Sequence, residues 1–203
     1  MGEDLVKKLF FILFLFDVFF SCVVYSQSVN EELSDNLLRL HVISNSNSEC
    51  DIDLKYKVRD EILRIVGDRK YKNREEVITT VTTIEDEINQ YLNKESIVYD
   101  CKIVCTTSQF PTKRYNNIIM PAGDYLCIKA VLGKGEGENW WCVAYPPLCF
   151  TEEVFGNISD KGEQELKKNL SEDVYNLIRN TDDNKIRFYS VDLVNRVIQY
   201  MKR

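Results

Sequence analysis

The sequence predicts an α/β domain of the α+β kind, a small mixed or antiparallel sheet packed against helices, with a helical C-terminal extension. Three observations predict it. Apolar residues alternate with period two near residues 37–43 and 97–106, and short apolar runs at 124–132, apolar on nearly both faces, and 140–145 also read as strands. Apolar residues fall at helical spacing over 54–66 and 74–92. Beyond residue 150 the chain becomes nearly charge-balanced and helix-prone. The 203 residues suffice for one ordinary domain plus a modest extension, since domains commonly run about 100 to 200 residues. Twenty-six basic against 32 acidic side chains leave a net charge of −6 and a pI near 5.0. The cations are scattered among acids, not gathered in a stripe, which argues against a nucleic-acid partner.

Residues 1–26 read as a signal peptide or N-terminal membrane segment. Lys7 and Lys8 precede the apolar run Leu9 to Phe16, and the run resumes after Asp17 through Val18, Phe19 and Phe20. Val24 and Ser26 supply small residues at −3 and −1 of a cleavage point. A retained anchor is the rival, opposed by Asp17, which costs roughly 2.5–3.5 kcal/mol inside a bilayer. Lipidation at Cys22 is a third route, opposed by the approach sequence Phe19-Phe20-Ser21. Residues 27–36 are polar and read as a linker, so the domain is placed at 37–150 and the helical extension at 151–203.

Leu38, Leu40 and Val42 alternate with Arg39 and His41, as in a half-buried strand. Asp51 or Asp53 is expected to cap a helix through Leu54, Val58, Ile62, Ile65 and Val66 that Gly67 ends. Asn73, with Glu76 three residues on, starts a second helix through Leu92, although its Thr-rich middle weakens it. Ile97 to Cys105 reads as a strand. Asp124–Leu132 and Trp140–Tyr145 read as two more, joined as a hairpin across Gly133, Gly135 and Gly137. In the tail, Leu166 to Ile178 marks one helix, and Val194 to Met201 marks another after a Ser190 cap.

Chemistry is constrained by the single histidine, because any Cys/His mechanism and most zinc sites would have to recruit His41. A dyad of Cys142 and His41, oriented by Asn139, defines an alternative function as an exported thiol hydrolase acting on cell-wall material. The plainer reading, a strand histidine beside a disulfide-bonded cysteine, is preferred. No metal or cofactor is expected, since CxxC pairs and calcium-loop spacing are lacking. The glycine loop lacks a phosphate-cradling pattern and leads into a strand. Outside the leader six cysteines remain. Cys101 and Cys105 share a strand face about 13 Å apart and cannot bridge each other. Cys142 and Cys149 flank Pro146-Pro147 and are the preferred disulfide. Trp140 and Trp141 must point to opposite sheet faces. Either the outward one is an interface anchor, or both are covered by the tail helices. Phe110 to Tyr115 is either a structural turn or a recognition loop.

Several strings then line up in order: Leu38-Arg39-Leu40-His41-Val42-Ile43 with Asn45-Ser46, Leu54-Lys55 and Lys57-Val58-Arg59-Asp60. Phe110-Pro111-Thr112-Lys113-Arg114-Tyr115 follows, then Pro121-Ala122-Gly123 with Tyr125. Gly135, Gly137, Asn139-Trp140-Trp141-Cys142-Val143 and Pro146-Pro147-Leu148-Cys149-Phe150 complete the set. Together they resemble the stage II sporulation protein R family over residues 37–150. The chain departs from it at Ser44 and Asn47, where Ala and Asp are expected. The resemblance implies a non-enzymatic signalling protein made in the forespore and secreted across its membrane into the intermembrane space. It implies a partner there, a membrane-embedded aspartic protease that processes the mother-cell sigma-E precursor. Membrane contact is expected only through a retained leader. Arg39, His41, Asn45, Lys113, Arg114, Tyr115 and Trp141 are the candidate contact residues, as polar or aromatic groups within the matching strings. Replacing Arg39 and His41 together is expected to abolish processing while leaving folding intact.

Overall fold

The computed structural model describes residues 2–69, 71, 73–115, 117–146, 148, 160–179 and 185–202. A long helix α1 (Gly2–Asn36) leads directly into strand β1 (Leu38–Ile43). Residues 27–36 are therefore not a linker but the last turns of α1. Val29, Leu33 and Leu37 recur every fourth position and are buried, while Glu31 and Asp35 between them are exposed. Upstream, the apolar stretch of α1 is exposed, long and apolar enough to cross a membrane.

Helices α2 (Glu49–Asp68), α3 (Arg74–Thr79) and α4 (Val81–Lys94) follow. The cap of α2 is Ser48, whose hydroxyl accepts from Asp51 N; the expected Asp51 and Asp53 caps lie inside the helix, as does Gly67. Asn73 caps α3 as expected, accepting from Glu76 N. The single helix expected through Leu92 is broken at Thr80, whose hydroxyl bonds back to Val77 O at 2.8 Å. That local bond competes with the helical ladder, as Thr side chains tend to do.

The strands β2 (Cys101–Phe110), β3 (Lys113–Tyr115), β4 (Ile118–Met120), β5 (Gly123–Leu132) and β6 (Asn139–Tyr145) complete the β structure. β2 starts four residues later than Ile97. β3 and β4 form a small hairpin of their own. The main sheet has the order β2-β5-β1-β6, with β1 parallel to β5 and antiparallel to β6. The hairpin expected between β5 and β6 is thus corrected: β1 lies between them, and the glycine loop steps over its end. Backbone bonds hold the loop there, Gly137 N to Ser44 O at 3.0 Å and Glu136 N to Asn45 O at 3.1 Å. Glycine is required at 137, where a Cβ would lie 2.2 Å from Ser46 O.

In the tail, the expected helix over Leu166–Ile178 is two, α5 (Asp160–Asn169) and α6 (Glu172–Ile178), with Ser171 capping the second. The last, α7 (Lys185–Met201), starts well before Ser190, whose hydroxyl bonds Arg187 O instead of capping.

Two cores sandwich the sheet. Leu38, Leu40, Val42 and Cys142 pack with α2 and α4 on one face. On the other, Tyr125, Cys127, Phe110 and Val143 pack with Val29 and Leu33 of α1, Ile178 of α6 and Phe188 and Val191 of α7. The tail is therefore a layer of the domain, and β1 is buried on both faces, not half-buried.

Candidate partner-binding site around Arg39

The strings singled out in the sequence lie far apart in the chain, yet five strands bring them to one point. Arg39 on β1 is 0 % exposed. Its Nε donates to Cys142 O of β6 at 2.8 Å, and its Nη2 donates to Tyr115 Oη of β3 at 3.1 Å. The guanidinium carbon sits 4.4 Å from the Phe110 ring centroid, 4.8 Å from that of Tyr125 and 5.9 Å from that of Tyr115. It has no carboxylate partner among the described residues. The three ring faces, negative by their quadrupoles, are what offsets this buried charge. Burial pushes the Tyr115 and Tyr125 hydroxyls up from their ordinary value, with the nearby Arg39 charge opposing it. Both are neutral donors at pH 7, Tyr125 Oη to Pro121 O at 2.9 Å and Tyr115 Oη to Trp141 O at 3.3 Å.

His41, two residues on, shares this face and is 7 % exposed. Its ring stacks on Trp141 at 5.7 Å and meets Phe110 edge-on at 5.9 Å. Burial lowers its pKa, partly countered by the bond to Asn139, and the Lys129 charge lowers it further. The neutral ring donates from Nε2 to Asn139 Oδ1 at 2.7 Å, since a carbonyl oxygen only accepts. Lys113 Nζ lies 4.8 Å over the Trp141 ring, and Arg114 is exposed beside it.

The Cys142–His41 dyad is excluded by the register. Cys142 stands opposite Leu40 and His41 opposite Trp141, so the thiol points into the α2–α4 core and the imidazole to the other face. Cys149 lies outside the described residues. Cys22, Cys50, Cys101, Cys105 and Cys127 carry free thiols. Burial pushes Cys101 up to about 12 and Cys127 up to about 11, so both are inert thiols at neutral pH.

Of the seven candidate contacts, Arg39, His41, Lys113, Tyr115 and Trp141 come together, with Arg114 at the rim. Arg39 and His41 offer a partner almost no surface and act as supports. Asn45 lies apart, at the end of β1. Its Nδ2 donates to Asp51 Oδ2 at 2.9 Å and its Oδ1 accepts from Lys134 N at 3.0 Å, which ties the glycine loop to α2. Phe110 and Tyr125 complete the arginine cage, and no pattern of residue type or spacing links them to it. Only the closure of five strands shows that they meet Arg39.

The Asp51 carboxylate also accepts from Ser46 at 2.6 Å and from Tyr99. These bonds, Ser46 first and then Tyr99, hold it at about 2, below its ordinary 3.8. A depressed carboxyl stabilises the fold above its unfolded value and loses that contribution as pH falls through the folded value. About 1 kcal/mol, discounted for solvent contact, is therefore expected to disappear between pH 4 and pH 2. Urea midpoints of wild type and Asp51→Asn across that range check this: the wild type should lose the increment and the variant should not. Parallel acid limbs would refute it.

A family model described as Stage II sporulation protein R (spore_II_R) matches residues 34–155. The chain belongs to this family. The stage II sporulation protein R of Bacillus subtilis (strain 168) is 32% identical over 149 residues, covering 70% of this chain and 66% of that relative. No solved structure matches. The family match runs from the last turns of α1 to just past β6, so it contains every residue of the arginine cage. The stage II sporulation protein R match ends before α5, although α6 and α7 complete the core on that face.

Proposed function

We propose that this chain is an exported sporulation signal. Made in the forespore and carried across its membrane, it activates a membrane-embedded aspartic protease that processes the mother-cell sigma-E precursor. The observation that carries this reading is the stage II sporulation protein R match over residues 34–155 joined to an N-terminal helix apolar enough to enter a membrane. The basic and aromatic rim of Lys113, Arg114 and Trp141 suits protein contact, since Trp and Arg dominate interface energetics. The working form in this reading is anchored through α1. Ser26, the expected cleavage point, is 0 % exposed in an unbroken helix, and its Oγ donates to Asn195 Oδ1 at 2.7 Å. A cleaved form arises only from chain cut before α7 docks, because a peptidase needs an accessible strand.

Co-expression with the candidate protease and its sigma precursor in a non-sporulating host tests the proposal. Precursor cleavage that depends on this chain is expected; cleavage without it, or none with it, ends the proposal. The Cys142–Cys149 disulfide belongs to the same exported reading. Alkylation of the exported protein before reduction is expected to leave both cysteines unlabelled, and labelling of Cys142 would count against the bridge.

A further inference from the structure

The face of the sheet that carries Arg39 is covered at one end only. Cross-strand partners share a face, so the register defines rows across the sheet. Val143, Arg39, Cys127 and Thr106 form one, of which the first three are buried under the helices and the β3–β4 hairpin. Trp141, His41, Lys129 and Val104 form the next, and Asn139, Ile43, Val131 and Lys102 the one beyond. In these two rows only His41 is buried, and Val104, Ile43 and Val131 belong to neither core. The glycine loop rims them: a Cβ at Gly135, whose φ is +65°, would lie 2.5 Å from Val131 Cγ1.

Within these rows the charges have one sign. Lys102 and Lys129 stand within the rows and Lys113 over Trp141, and none of the three has a carboxylate partner among the described residues. No acidic residue occupies a position in the three rows. Glu138 at the loop's end is turned to Lys55 on the opposite face, which leaves Asp100, two residues before Lys102, and Glu136 in the rim loop as the acids at the edge of the rows. In a chain of net charge −6 such a surface is a local exception. Two polar atoms on the first open row, Trp141 Nε1 and His41 Nδ1, also have no hydrogen-bond partner.

Resting on the partner-directed role proposed above, we propose that this open half-face, Lys102, Val104, Lys129, Val131, Trp141 and the Lys113 rim, docks an extended acidic segment of the partner protein. Its carboxylates pair with the lysines, and an apolar side chain lies on Val104, Val131 and the Trp141 ring. Charge complementarity selects the occupant, because an acidic chain meets no repulsion in these rows. The surface stands at the end of β1 remote from its junction with α1, and so faces away from the anchor.

The test uses the full chain in detergent, with a fluorescein-labelled dodecaglutamate peptide as probe. Wild type is expected to bind it in a salt-sensitive way. The Lys102→Glu/Lys129→Glu pair should bind at least about tenfold more weakly. The same reversal at Lys57 on α2, beneath the opposite face, should leave binding unchanged. Absence of wild-type binding, or equal binding by the double variant, overturns the proposal. Self-association relieved by the same reversal would make a second copy the occupant and overturn it as well. Precursor cleavage in the co-expression host is read separately. Intact cleavage with charge-insensitive probe binding sinks this surface alone, whereas charge-sensitive binding without cleavage sinks protease activation alone.

Discussion

Ending the chain before Lys185 is expected to unfold the body of the protein, although the removed helix lies wholly outside the family match. α7 buries Phe188 and Val191 against Val29, Leu33 and Tyr125. Removing those two side chains alone forfeits about 3–6 kcal/mol of apolar burial. Asp192, buried on the same helix, accepts from Ala122 N at 2.8 Å and from Thr112 Oγ1. Without it a buried backbone donor is orphaned, at about 1–3 kcal/mol. Ser26 loses Asn195, and the Phe110 carbonyl loses the Gln199 amide. Together these losses rival the roughly 5–15 kcal/mol net stability of a whole domain. Urea unfolding and limited proteolysis of a chain ending at residue 179 check this. Loss of the cooperative transition and rapid cleavage within β5 are expected. A midpoint equal to that of the full chain would show the second core to be complete without α7.

Arg39→Ala is expected to cost about 3–5 kcal/mol, from the cavity and the lost bond to Cys142 O. Arg39→Met should cost less than half as much. It keeps most of the volume among the Phe110, Tyr115 and Tyr125 rings and removes the need to hold a charge away from water, a replacement that is often neutral. Tyr115 Oη keeps its bond to Trp141 O in both variants. Because Arg39 presents no surface, Arg39→Met should retain precursor cleavage in proportion to its folded fraction. Thermal midpoints and co-expression cleavage give the two readouts. A fully folded but inactive Arg39→Met would return Arg39 to direct recognition. The expectation that replacing Arg39 and His41 leaves folding intact is therefore reversed: at Arg39 it is stability that is put at risk.

Much of the order of elements was legible because it is local. Alternation in β1 and the short apolar runs of β5 and β6 placed these strands within a residue or two, and Asn73 with Glu76 marked the start of α3. The misses share a cause. Ser48 won over Asp51 as the α2 cap because Asp51 is engaged by Asn45, Ser46 and Tyr99, partners that a local pattern does not show. Residues 27–36 read as a linker because only two of them, Val29 and Leu33, carry the buried stripe that the adjoining Leu37 continues, and its partner α7 lies some 160 positions away. A hairpin between β5 and β6 was the default for strands near in sequence. Its failure required β1, from the start of the domain, to insert between them.

What the sequence determined by itself was the set of strings that place the chain in its family, the apolar leader, and the α+β alternation of strands and helices. All three are written in short-range patterns of residue type. What only the tertiary structure decided was which side chains those strings support and which they expose. Arg39 and Lys129 look alike on alternating strands, yet one is sealed under three aromatic rings and the other lies in an open row. The difference is burial, and burial is set by the distant helices α1, α6 and α7, which cover one end of the sheet face and leave the other to solvent.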